Sequence, residues 1–152
     1  MKLIITALTA FVLLGVLARP ATAQQGATIS VSPGTFAYPY GDPDTTPNCI
    51  GPQLTISYKV TGKPIGWTIT VQGTDLNGPM PPIPVSNVSW TATGNFFMPN
   101  GTLRATAQTL AQQLNGHAAT TQYGYVTFSL LNSWTYNAGT YTQTITFTIT
   151  IP

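Results

Sequence analysis

Residues 140–152 read TYTQTITFTITIP, and the alternation in this stretch decides the fold. Every even position from 140 to 150 is threonine, while the odd positions carry Tyr141, Gln143, Ile145, Phe147, Ile149 and Ile151. Successive side chains of a strand point to opposite faces, so a period of two predicts a strand with one apolar and one hydroxyl face. Ile145, Phe147, Ile149 and Ile151 are expected to enter a core. A slip of one residue would exchange the two faces, so the pattern specifies register strongly. The stretch carries no charge, no internal proline and no glycine, the usual guards of an exposed sheet edge. Such a strand is expected either to be paired on both sides or to leave its free side for another subunit.

The same period recurs upstream. ATISVSP (27–33), LTISYKV (54–60), GWTITVQG (66–73), VSWTAT (88–93) and YGYVTFSLL (123–131) all alternate, and the clusters SPG, YGDPDTTPN, TGKP, DLNGPMPPIP, MPNG, LNGH and NAG between them are rich in turn formers. Threonine, with 24 copies in residues 24–152, suits pleated, half-exposed surfaces through its β-branch. TLRATAQTLAQQL (102–114) is the one ambiguous segment: its alanines and leucines could make a short helix, and its threonines favour a strand. The expectation is an all-β, immunoglobulin-like antiparallel β-sandwich of about seven to nine strands, forming a single domain over residues 24–152.

Residues 1–23 read as a signal peptide. Lys2 supplies the positive start, residues 3–18 form a short apolar run, and Ala21-Thr22-Ala23 is a small-residue cleavage site. The apolar run is short for a membrane span and no second one follows, which predicts export without a transmembrane anchor. Removing Lys2 and Arg19 leaves Lys59, Lys63 and Arg104 against Asp42, Asp44 and Asp75, with no glutamate. A neutral chain lacks the clustered basic face that nucleic-acid binding needs. It also has little self-repulsion, so self-association is expected to be easy. The single cysteine, Cys49, excludes an intramolecular disulfide and reads as a small buried residue or as a thiol for an intermolecular link.

Catalytic chemistry is poorly supplied. His117 is the only histidine and sits in the turn-like LNGHAATT, and three aspartates are the only acids available to orient a base or to act as a pair. No nucleophile elbow or zinc-type histidine motif is present. The expectation is a protein without enzymatic activity and without a cofactor. Asp42-Pro43-Asp44 could offer oxygen ligands to calcium, although proline and aspartate are equally what a turn needs. Among the aromatics, Trp67 and Trp90 fall in strand patterns where large apolar residues build a core, whereas Trp134 in LNSWTYN is the one expected to be exposed. Trp67, Trp134 and Tyr136 are the candidate contact residues for a glycan or an envelope polymer.

Several segments together resemble the WxL family of bacterial cell-surface domains and its looser β-sandwich relatives. Gly66-Trp67-Thr68-Ile69-Thr70-Val71 is similar to that family's early W-x-L motif. Tyr141 followed by Phe147-Thr148-Ile149, after Ala138-Gly139-Thr140, is similar to the late one, with isoleucine for leucine in both and phenylalanine for the second tryptophan. Ile83-Pro84-Val85-Ser86-Asn87-Val88 adds to the likeness, which spans residues 54–152. The resemblance implies a secreted β-sandwich held noncovalently at the cell wall, with Trp67, Ile69, Tyr141, Phe147 and Ile149 as its motif and core residues. The AGTYT ending with an alternating strand also recurs in exported sandwiches of the pilus-subunit type. The expected role is structural or adhesive at the cell surface, with an envelope polymer, a glycan or further copies of the chain as partner. Filament or coat assembly by strand addition and carbohydrate binding stand as alternatives.

Overall fold

The computed structural model describes residues 8–12, 26–39, 41–62, 66–116 and 118–152. His117, Lys63 and the expected cleavage site at residues 21–23 lie outside them. Nine strands are described, in the order β1 (Leu8–Val12), β2 (Gly26–Ser32), β3 (Asn48–Thr61), β4 (Trp67–Gly73), β5 (Val88–Thr93), β6 (Asn100–Thr102), β7 (Gln108–Gln113), β8 (Gln122–Leu131) and β9 (Gln143–Thr150). A single 3₁₀ turn, Val85–Asn87, precedes β5, and no α-helix occurs among the described residues. The strands form two packed sheets, ordered β1-β9-β4-β7 and β2-β3-β8-β5-β6, and the fold is a β-sandwich. Every pairing is antiparallel except that of β1 with β9.

Alternation builds the core directly. β4 buries Trp67, Ile69 and Val71, β5 buries Val88, Trp90 and Ala92, and β8 buries Val126, Phe128 and Leu130. Two aromatic pairs link the sheets. Phe128 of β8 meets Phe147 of β9 edge-on at 6.3 Å between ring centres, and Tyr58 of β3 meets Trp67 of β4 at 4.8 Å. Such pairs add to the area that they bury. Gly124 leaves room on β8 for the Phe97 ring, which a β-carbon there would strike.

The segment 102–114 settles as strand: β7 occupies Gln108–Gln113, buries Leu110 and Ala111, and pairs with β4 across an irregularity at Ile69/Thr70. β3 begins earlier than alternation in 54–60 predicts. Its first residues, Asn48–Ile50, pair with β8 before a register shift between Ile50 and Gln53. Gly51 sits at that bulge against the Phe36 ring, where a β-carbon would lie 2.9 Å from it.

β9 behaves as its alternation requires at Ile145 and Phe147, which are fully buried. Ile149 and Ile151 are only half-buried, because the strand is running out at the end of the sheet, where Thr150 pairs with Thr68 near the start of β4. Threonines 144 and 150 are exposed and 146 and 148 half-buried, as an outer face with neighbours on β4 demands.

Cys49 has no exposed surface, and burial raises its thiol pKa above the ordinary 9.0. The buried Tyr38 hydroxyl is pushed up as well, by burial first and by Cys49 second. A buried, protonated thiol is a poor nucleophile. The native protein is therefore expected to leave Cys49 unmodified by a thiol reagent at neutral pH and to react stoichiometrically once unfolded in denaturant. Labelling of the native form at the unfolded rate would contradict this placement.

Candidate functional site

The molecule offers three surfaces with chemical character: the outer edge of β9, an aromatic cleft beside Trp67, and a set of exposed aromatics on β8 and the loop that follows it.

The β9 edge is built by strand order. On its inner side β9 pairs with β4 from Thr68↔Thr150 to Gly73↔Ile145, and the pairing is continued by a hydrogen bond from the Thr74 amide to the Thr144 carbonyl at 3.0 Å. In an antiparallel ladder, residues alternate between those whose N–H and C=O face one neighbour and those facing the other. Thr144 faces β4, so Ile145, Phe147 and Ile149 present their backbone groups to the outer side. There β1 lies parallel to β9, from Leu8↔Gln143 to Val12↔Phe147. β1 also touches β2, and β2 touches β9, so the edges of the two sheets meet on this side.

The sandwich treats two of its other edges differently. β7's outer side is covered by residues 96–98, through the Phe97↔Ala111 bridge and hydrogen bonds from the Met98 amide to the Leu110 carbonyl and from the Gln112 amide to the Phe96 carbonyl. β6 has three residues and follows Pro99 directly, so it offers little to pair with. Among the described residues β9, with eight residues, has neither device, and the strand along its outer side is β1.

The cleft beside Trp67 encloses about 260 Å³ and is lined by Tyr58, Trp67, Phe96, Gln113, Ala118 and Gln122 among others. Trp67 is only 1% exposed, and its indole N–H donates to Gln113 Oε1 at 3.0 Å. Phe96, half exposed with a φ of 70°, stands edge-on to the Trp67 ring at 5.8 Å. Trp67 thus forms the floor of the cleft and gives it little ring face to stack on. Ile69 and Ile149 of the two motif-like segments are direct cross-strand partners, as are Val71 and Phe147. Tyr141 is fully buried, and its hydroxyl donates to the Asn137 carbonyl at 3.1 Å. Trp67, Ile69 and Phe147 are core residues of one sheet, Ile149 is half-buried opposite Ile69, and Tyr141 is buried just before β9.

Trp134 and Tyr136 lie in the loop between β8 and β9, away from Trp67, which sits level with the far end of β9. Trp134 is 55% exposed, yet its indole N–H donates to Asp44 Oδ1 at 3.1 Å. Tyr136 is half-buried, its hydroxyl accepting from Asn87 Nδ2 at 2.7 Å. Asp42 Oδ1 accepts the Asp44 amide at 2.9 Å, and the Asp42 carbonyl accepts the amides of Thr45 and Thr46. Both aspartates are engaged in holding a turn and an indole. Among the described residues no group of three potential metal-ligating side chains gathers, and no helix is long and apolar enough to cross a membrane.

One pair escaped the sequence reading. Tyr123 and Tyr125 are 56% and 40% exposed on the outer face of β8, beside Ser57 and Thr55 on β3 and Thr93 on β5. The signal for them lay in YGYVTFSLL, where Gly124, Val126 and Phe128 claim the inner face and leave the tyrosines outside.

The chain matches no protein-family model, and no curated protein matches it significantly.

Proposed function

We propose that this chain is an exported, non-enzymatic structural or adhesive protein of the cell surface, and that it associates noncovalently with further copies of itself through the outer edge of β9. The observation that carries the reading is the strand order: the strand on the outer side of β9 is β1, which lies within residues 1–23, the expected signal peptide. Once that segment is removed, Ile145, Phe147 and Ile149 present unpaired backbone groups along an uncharged, unguarded edge. Strand addition from another subunit completes the sheet through main-chain hydrogen bonds. β9 is self-complementary for this purpose. An antiparallel pairing of two copies centred on Phe147 sets Ile145 opposite Ile149 and Thr146 opposite Thr148, so apolar faces coincide and no like charges meet. The likeness to wall-associated WxL domains agrees with a place at the envelope.

The test is size-exclusion chromatography with light scattering on residues 24–152 over a wide concentration range, with electron microscopy of the largest species. Concentration-dependent assembly is expected. A monodisperse monomer at high concentration would count against self-association.

The exposed tyrosines of β8 favour a second reading, a glycan-contacting face. Two aromatic rings two residues apart on one strand face, flanked by hydroxyls, can stack on successive sugars. Retention on peptidoglycan or polysaccharide is then expected to fall for Tyr123→Ala/Tyr125→Ala, and to fall less for Trp134→Ala, whose indole is tied to Asp44. Unchanged retention in the tyrosine variant removes this face from consideration.

A further inference from the structure

Resting on the strand-addition reading, the pairing of β1 bears on how that site is controlled. Among the described residues β1 pairs with β9 from Leu8↔Gln143 to Val12↔Phe147. The covered part is paired in parallel, an arrangement slightly weaker per residue than the antiparallel one. A parallel pairing is the weaker competitor against an antiparallel strand at the same edge.

We infer that residues 8–12 serve as a provisional strand: while the leader is attached they occupy the β9 edge and keep the chain monomeric, and removal of the leader opens the edge to β9 of a second copy. Processing is in this way coupled to assembly, since one cleavage both frees the chain and uncovers its interface. No bond other than the cleaved peptide changes; the exchange itself is hydrogen bonds and packing.

The experiment compares three proteins: residues 1–152 made by cell-free synthesis without membranes so that the leader stays on, residues 24–152, and residues 1–152 carrying Thr9→Pro. Thr9, level with Thr144, is a β1 residue whose N–H faces β9, so proline there removes a ladder donor and is poorly tolerated. Light scattering is expected to find the full chain monomeric at concentrations where 24–152 has assembled, with the Thr9→Pro variant assembling like 24–152. If all three assemble alike, the cover does not exist although strand addition stands. If none assembles, the strand-addition reading itself falls, and this inference with it. Should 24–152 fail to fold alone, a peptide of residues 6–14 supplied during refolding is expected to restore a cooperative melt. A peptide that restores nothing overturns the provisional strand.

Discussion

Deletion of residues 140–152 is expected to abolish cooperative folding. The deletion removes β9, and with it the strand that joins β4 to the rest of its sheet's outer side. Ile145 and Phe147 are fully buried, and each contributes roughly 1.5–3 kcal/mol through burial alone. Tyr141 leaves too, with its hydrogen bond to Asn137, and Phe128 loses its edge-on partner in the opposite sheet. β4 would then expose a full row of ladder groups. Against a typical domain stability of about 5–15 kcal/mol, the combined loss is decisive. Far-UV circular dichroism during heating reads the outcome: the truncated chain should show no sigmoidal transition. A cooperative melt near that of the intact protein would mean that β9 is dispensable to the fold.

Trp67→Ala is expected to cost about 3–5 kcal/mol, the range for removing a buried aromatic side chain. The ring stands between Tyr58 and Phe96, and its N–H holds Gln113, so the substitution leaves a cavity and an unpaired amide oxygen. For a chain of this size the melting temperature should drop by roughly 10 °C or more. The measurement also separates two roles for the residue. A tryptophan serving mainly as a sugar platform would lose ligand retention on substitution with its melting temperature unchanged, whereas a core tryptophan loses stability first. The 1% exposure of Trp67 places it in the second group.

Much of the sandwich was legible in the chain because alternation and turn chemistry agree along it. VSWTAT becomes β5 with the boundaries that its pattern marks, and the strands read at 27–33, 66–73 and 123–131 lie within a residue or so of β2, β4 and β8. Trp90 is buried and Trp134 exposed, as their surroundings imply. The first half of β3 was hidden because TPNCIGP carries the residues of a turn; Gly51 and Pro52 mark a bulge inside a paired strand instead. Phe36 and Tyr38 join the core from a segment with no regular structure, which no periodicity announces. The candidate site was half visible. The hazard of an unguarded edge on β9 could be read from composition, but what lies beside that edge depends on strand order. β1 itself falls inside an apolar run without alternation, and only its pairing with β9 shows it as a strand. Trp67, Trp134 and Tyr136 do not converge, since local pattern says which residues are aromatic and not which end of the sandwich they reach.

The most direct test of the account is residue-resolved hydrogen exchange on residues 24–152 in the assembled state. The amides of Ile145, Phe147 and Ile149 face away from β4, so in an isolated mature subunit they would be open to solvent. If association proceeds through the β9 edge, those three amides should exchange as slowly as those of Thr146 and Thr148, which face β4. Exchange of the three at the rate of exposed amides, in a sample that has assembled, would contradict the account.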